Sequence, residues 1–322
     1  MRWKFIDQFR GFAILSMIFV NVCNEFDTSF SWFRHHTYGA TFADFVAPAF
    51  IFIVGFSYRL SYTKNAQHLK KSELHKKIIK RYVIITFLGF IYGHFDFYVS
   101  VWDALTDIGI AGLLIYPFIG TSSTFILSAG FLYLLIYQLL FSLTHYGNWL
   151  MANSIDGGPL GPLSWVFILA WGSVCAIHFE KNKNVFPKTF SYWLLGGIIL
   201  TLFGWILAHP ISILPMSSLP FTQKGMTASY SLFFAGLCSI SLCAFYLINE
   251  KINIIVKPFT TMGKNPLVLY FLQAILIVIL RLILPEYLYN YSMTPYIASI
   301  GILLLCFIVA KMLEIKSIYV KV

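Results

Sequence analysis

Charge is what this chain has least of. Asp, Glu, Lys and Arg together make up 11% of its 322 residues, where an ordinary soluble domain carries about 25%. Acidic residues are the scarcest, 13 against 23 Lys and Arg, for a net charge of +10. This composition excludes a soluble globular enzyme and a disordered chain. The five cysteines form no C-x-x-C pair and fall in or beside apolar runs. That excludes a disulfide framework and a cysteine zinc site. No small-residue cleavage site follows the first apolar run, which therefore reads as a retained anchor. The turn at Asp156–Pro162 lacks the G-x-x-x-x-G-K-[ST] spacing of a phosphate loop. No internal repeat is visible, which weighs against an inverted-repeat transporter.

What the chain has instead is apolar surface: 58% hydrophobic residues and a mean hydropathy of +0.75. A bilayer core of about 30 Å needs roughly 20 apolar residues per helix. Ten runs meet or approach that length: 9–23, 44–62, 78–92, 102–119, 123–143, 163–179, 192–208, 230–248, 266–284 and 296–313. The first and third are short. The expected fold is all-α, a polytopic membrane protein of about ten transmembrane helices in a single domain over residues 1–322. With the N-terminus cytoplasmic, 20 of the 23 Lys and Arg lie on the cytoplasmic side, and only Arg34, Lys224 and Arg281 lie outside. The positive-inside rule thus places both termini in the cytoplasm. The basic residues sit between apolar runs, so their expected partners are lipid headgroups, not nucleic acid. Lys64–Lys80 reads as a short basic loop whose composition suits a helical, lipid-facing segment.

Ionisable residues in or beside spans mark candidate sites. Asp7 and Arg10 are three apart at the start of the first span and share a helix face. Asn21 stands near its outer end, where a cap is the plain reading. Beyond it, His35, His36 and Asp44 lie within ten positions at the outer mouth of two spans. An imidazole can accept a proton near neutral pH, and a carboxylate can hold it in the useful tautomer. The alternative is an exposed His pair with Asp44 capping the second span. Asp103 and Asp107, four apart, are expected on one helix face, where like charges repel. Gly263-Lys264-Asn265-Pro266 reads as a tight turn with Pro at an early helix position. No third ligand has metal-site spacing near the histidines.

Taken in order, these segments resemble the heparan-α-glucosaminide N-acetyltransferase family of transmembrane acyltransferases. Asp7-Gln8-Phe9-Arg10-Gly11 followed by Met17-Ile18-Phe19-Val20-Asn21 is similar to its D-x-F-R-G and M-x-x-V-N. His35-His36-Thr37-Tyr38, Gly39, Thr41, Asp44 and Pro48 resemble its lumenal H-A-x-W-x-G-x-T-x-x-D-x-x-x-P motif. One residue is missing between Tyr38 and Gly39, Tyr38 replaces the usual Trp, and His36 takes the Ala position. Looser echoes are Gly158–Gly172, then Lys224, Ser229 and Tyr230, then Gly263–Leu267 with Tyr270.

The resemblance implies transfer of an acetyl group from cytoplasmic acetyl-CoA, with no metal, to an amine or hydroxyl of a glycan or sugar on the outer side. It implies His35 as base or transient acetyl carrier, Asn21 as an essential partner and Asp44 as the group orienting His35. Arg10, Asp7, Lys264 and Asn265 are then expected at the donor, and His36, Tyr38 and Lys224 at the acceptor. No lumenal N-terminal domain precedes the first span, so a bacterial-type member of the cytoplasmic (inner) membrane is expected, and the family's dimers imply a homodimer. From another class, the alternative is a small-solute transporter with Asp44, Asp107 and Arg281 along its path.

Overall fold

The computed structural model describes residues 3–93, 102–182, 185–209 and 219–320. The described residues contain no strand, and each of the ten apolar runs falls on a helix. These are α1 (Lys4–Cys23), α2 (Phe42–Ala66), α3 (Lys71–Gly93), α4 (Ala104–Ile115), α5 (Ser123–Leu143), α7 (Pro162–Asn182), α8 (Phe186–Ala208), α9 (Ala228–Glu250), α11 (Pro266–Ile283) and α12 (Thr294–Ile315). Two short helices, α6 (Tyr146–Asn153) and α10 (Lys257–Met262), stand in the linkers. Eight helices, all but α3, α4 and the short pair, are long and apolar enough to cross a membrane. Apolar side chains such as Phe125, Leu195, Ile199, Ile297 and Leu304 stand fully outward on α5, α8 and α12. In a bilayer these faces meet lipid tails.

α3 and α4 fall short for different reasons. α3 opens with Lys71, Glu73, Lys76, Lys77, Lys80 and Arg81, and α4 has 12 residues. They lie antiparallel: the Phe90 and Trp102 rings are 5.7 Å apart at one end, and His75 Nδ1 is 2.7 Å from Tyr116 OH at the other. Because they come as a pair, the orientation of the remaining helices is the same whether or not both cross.

Four sequence expectations are corrected. Lys64–Lys80 is helical, as its composition suggests, but as the ends of α2 and α3 and not as a separate loop, since α2 runs on to Ala66 and α3 starts at Lys71. The first and third runs are 20- and 23-residue helices, because their polar ends join the helix. Asp103 does not share a helix face with Asp107. It precedes α4 in an extended conformation and caps it, accepting from Leu105 N–H at 2.8 Å. Asp107 is fully buried and accepts from Trp102 Nε1 at 3.1 Å. Asn21 is not a cap, since α1 continues to Cys23 and Asn24 follows it. Arg2, Lys183 and Lys321, counted as cytoplasmic, and His94 lie outside the described residues.

The chain divides into two compact units. One comprises Met1–His36, Thr41–Phe50 and Ala244–Lys321, the other Thr37–Ala40 and Ile51–Cys243. In the first, α1 packs against α10, α11 and α12. Two glycines permit this. A Cβ on Gly11 would lie 1.7 Å from Phe259 O, and one on Gly263 would lie 2.1 Å from Asp7 O. Backbone touches backbone there, as small residues allow between membrane helices. In the second unit, α7 is buried along nearly its whole length and packs on α4, α5 and α8.

Candidate functional site

The site is built where α1 ends and α2 begins. α1 closes with Asn24, whose N–H bonds to Val20 O at 2.9 Å. The Asn24 side chain then reaches into the loop, and its Oδ1 accepts the His35 backbone N–H at 3.1 Å. Phe33 packs edge-on against Phe19 of α1, with ring centroids 5.0 Å apart. Arg34 is held by Asp27, with Nη1 donating to the Asp27 carbonyl at 3.0 Å. These ties fix His35 against the last turn of α1, the turn that carries Asn21.

On the other side, Thr41 and Asp44 start α2. The Thr41 N–H donates to Asp44 Oδ2 at 2.9 Å, and Thr41 Oγ1 lies 2.9 Å from the same oxygen and 3.2 Å from Arg34 O. This is the T-x-x-D form of a capping box, in which the third residue of the helix returns to the N–H of the residue before it. The other carboxylate oxygen faces the loop. Asp44 Oδ1 lies 2.8 Å from His35 Nδ1. A carboxylate only accepts, so Nδ1 carries the proton and Nε2 the lone pair. Asp44 is 1% exposed, whereas the His35 side chain is 31% exposed, and Nε2 has no partner among the described residues. Asp44 thus meets the start of α2 with one oxygen and the His35 ring with the other.

The two histidines differ sharply. His36 Nε2 is within 2.9 Å of Ser31 Oγ and 3.0 Å of Ser31 O, and no carboxylate among the described residues supports the ring. Asn21 is half-buried, and its side chain bonds to nothing among the described residues. Tyr38 is exposed. The next residue, Gly39, donates its N–H to Phe221 O at 2.9 Å. The 219–227 segment carries Lys224, whose carbonyl accepts from Gly157 N–H at 3.0 Å. Tyr38 and Lys224 therefore belong to the second unit, while His35, His36, Asn21 and Asp44 belong to the first.

The four residues expected at the donor also lie in the first unit, engaged with one another and with the C-terminal stretch. Arg10 Nη1 is 3.4 Å from Asp7 Oδ1 and 3.2 Å from Gly263 O. Lys264 bonds to Glu314 of α12. Asn265, 1% exposed, donates to Ile318 O at 3.0 Å and accepts from Val320 N–H at 2.9 Å. Its amide is thus committed to the chain itself. Sequence reasoning gives Asn24 no place in the site, and gives Thr41 a place in the motif but no role. The T-x-x-D spacing ahead of an apolar run was the available signal for Thr41, while a single Asn at a helix end gave none for Asn24.

With this geometry in hand, comparison with known proteins gives two findings. The family model described as heparan-alpha-glucosaminide N-acetyltransferase, catalytic, matches residues 2–188. The chain is also 37% identical over 92 residues to the heparan-alpha-glucosaminide N-acetyltransferases of Mus musculus and Homo sapiens. That stretch is 28% of this chain, 14% of the mouse protein and 13% of the human one. The chain therefore aligns with only a small part of either relative. The echoes at Lys224 and at Gly263–Tyr270 fall beyond the matched residues.

Proposed function

The chain belongs to the heparan-alpha-glucosaminide N-acetyltransferase catalytic family, and on that premise we propose that it is a transmembrane acetyltransferase. It moves an acetyl group from cytoplasmic acetyl-CoA to an amine or hydroxyl of a sugar on the outer side of its membrane. The observation that carries this reading is the His35–Asp44 pair at 2.8 Å, with Nε2 unengaged at the outer end of α1.

The chemistry follows from that proton inventory. His35 Nε2 takes the proton from the acceptor as its nitrogen or oxygen attacks the thioester carbonyl. A C–N or C–O bond forms, the C–S bond breaks, and the thiolate of CoA leaves with the electron pair and takes up a proton. Asp44 stabilises the imidazolium formed in between. A positioned base of this kind is worth about 10²–10⁴-fold in rate. The Asn21 amide donates to the oxyanion of the tetrahedral intermediate. Transfer through an acetylated Nε2 uses the same atoms in two steps.

Donor contacts are assigned to Arg10 and Lys264, with Asp7 and Asn265 holding the surrounding backbone. Acceptor contacts are assigned to His36, Tyr38 and Lys224. The membrane is proposed to be a bacterial cytoplasmic membrane, and the working form a homodimer. The transporter alternative is less well supported. Asp44 is bound by His35 and Thr41, and Arg281 donates to Glu25 from Nη2 at 2.8 Å. Asp107, the third path residue, accepts from Trp102 Nε1 at 3.1 Å, so each of the three already has a partner.

The test is acetyl-CoA thioester turnover by the wild-type chain, His35→Ala and His36→Ala. Loss in His35→Ala with retention in His36→Ala is expected. Loss in the His36 variant alone would move the base by one residue. No turnover and no acetyl-CoA binding by the wild type would sink the acetyltransferase reading.

A further inference from the structure

The first unit contains buried amide groups that the described residues leave unpartnered. Gln273 lies on the buried stripe of α11 with Leu269, Tyr270, Ala274 and Ile277. It is fully buried, and neither Nε2 nor Oε1 has a hydrogen-bond partner among the described residues. A Leu at this position would fill similar space without a polar group to satisfy. Gln8 on α1 is also fully buried. Its Oε1 accepts from Val256 N–H at 2.7 Å, but its Nε2 has no partner among the described residues. Buried polar groups are nearly always hydrogen-bonded, so each exception calls for a ligand or a cause.

These amides are ordered along the unit. Gln8 stands near the cytoplasmic end of α1, and Asn21 stands about 20 Å further along the same helix at 1.5 Å per residue. Gln273 lies about 10 Å along α11 from its first residue by the same rise, and α11 packs against α1. Both helices run from the cytoplasmic side outward in the assigned orientation. Arg10 and Lys264 are at the cytoplasmic end of this line, and His35 is at its outer end.

An acyl-CoA has the matching order of groups: phosphates, then a flexible arm with two secondary amides, then the thioester. A secondary amide offers one N–H and one C=O. The Gln273 side chain can answer both, and Gln8 Nε2 can answer a carbonyl. Lipid tails can answer neither. We propose that Gln8 and Gln273 bind the amide-bearing arm of the donor, setting its path through the first unit toward Asn21 and His35. This proposal rests on the acetyltransferase reading above.

The test uses the purified full chain in detergent, with CoA, pantetheine and 3′-phospho-ADP as calorimetric probes and a thermal midpoint without ligand. In Gln273→Leu, CoA and pantetheine binding should weaken roughly tenfold, the size of one lost amide hydrogen-bond pair. Binding of 3′-phospho-ADP, which lacks the arm, should not change. The ligand-free midpoint should stay or rise, since an unsatisfied buried amide has gone. Gln273→Met, unbranched and of similar length, serves if the Leu variant does not fold. Gln8→Met should weaken CoA and pantetheine binding in the same way, but its ligand-free midpoint should fall because the Val256 N–H loses its acceptor, so the midpoint criterion applies to the Gln273 variants alone.

Unchanged CoA and pantetheine affinity in the Gln273 variants would overturn the proposal. So would a lowered ligand-free midpoint, because that outcome marks a structural role through ordered water. If the wild type binds CoA and only these variants behave as wild type, the inference falls and the acetyltransferase reading stands. If the wild type binds neither CoA nor pantetheine, the acetyltransferase reading falls and this inference with it.

Discussion

Replacing Asp44 with Asn tests the site most sharply, because the two carboxylate oxygens do different jobs. Oδ2 receives the Thr41 N–H at 2.9 Å and Oδ1 faces His35 Nδ1 at 2.8 Å. Asn has one acceptor and one donor end. If its oxygen faces His35, its NH₂ points at the Thr41 N–H, and a buried donor goes unanswered at a cost of about 1–3 kcal/mol. If its oxygen faces Thr41, α2 keeps its cap, but the NH₂ now donates to His35 Nδ1. The imidazole then carries its proton on Nε2, where the base must be empty. The second arrangement is the more stable, so the fold survives and the base is lost.

Asp44→Asn should therefore lower thioester turnover by about 10²–10⁴-fold while changing stability by about 1 kcal/mol or less. Thr41→Ala is the matched control. It removes one hydroxyl from the cap and leaves the His35–Asp44 contact, so it should cost about 1 kcal/mol of stability with little loss of rate. Turnover is read as CoA release. Unfolding is read in a separate sample with a thiol-reactive dye, which suits this chain because all five cysteines are free and buried. Near wild-type turnover in Asp44→Asn would refute the reasoning. So would equal losses of rate in the two variants, tracking only their folded fractions, which would leave Asp44 as a cap and nothing more.

Asn21→Ala should reduce turnover by about 10²–10³-fold, the usual effect of losing one oxyanion donor, with acetyl-CoA affinity retained in a calorimetric titration. Gly11→Ala places a methyl group 1.7 Å from Phe259 O, so α1 and α10 must separate. The dye assay should show a loss of at least about 1–3 kcal/mol, as for overpacked cores. Asn265→Ala removes the buried amide that bonds to Ile318 O and Val320 N–H. It should cost about 1–3 kcal/mol locally and raise protease cleavage after α12, while turnover per folded molecule changes less than in Asn21→Ala.

The helices were legible because the bilayer imposes a length that composition reveals directly. Ten apolar runs became ten helices, including the pair in which the structure finds one too charged and one too short to cross unaided. The ends were less legible. α3 begins inside a lysine-rich stretch that reads as loop, because its buried residues Leu74, Ile78, Tyr82 and Ile85 recur at helical spacing between the charges. His35 and Asp44 could be singled out as residue types at a span mouth, yet only the fold shows that one carboxylate holds the ring and caps the helix. For Lys264 and Asn265 the sequence gives no sign of the partners the fold brings to them, Glu314, Ile318 and Val320, because these lie some fifty residues away. Gln273 gives no signal in the sequence, since a single Gln in an apolar run has no spacing to mark it.

The ties around the loop between α1 and α2 also bear on its length. Asp44 holds the Thr41 N–H with one oxygen and meets His35 with the other, so the chain is clasped on both sides of residues 36–40. Gly39, inside that clasp, has φ +115° and open space where a Cβ would stand. The position one residue shorter than the family pattern, between Tyr38 and Gly39, falls in this span. Length can therefore vary there like slack in a closed buckle. The distance between imidazole and carboxylate is set by the buckle, not by the number of residues threaded through it.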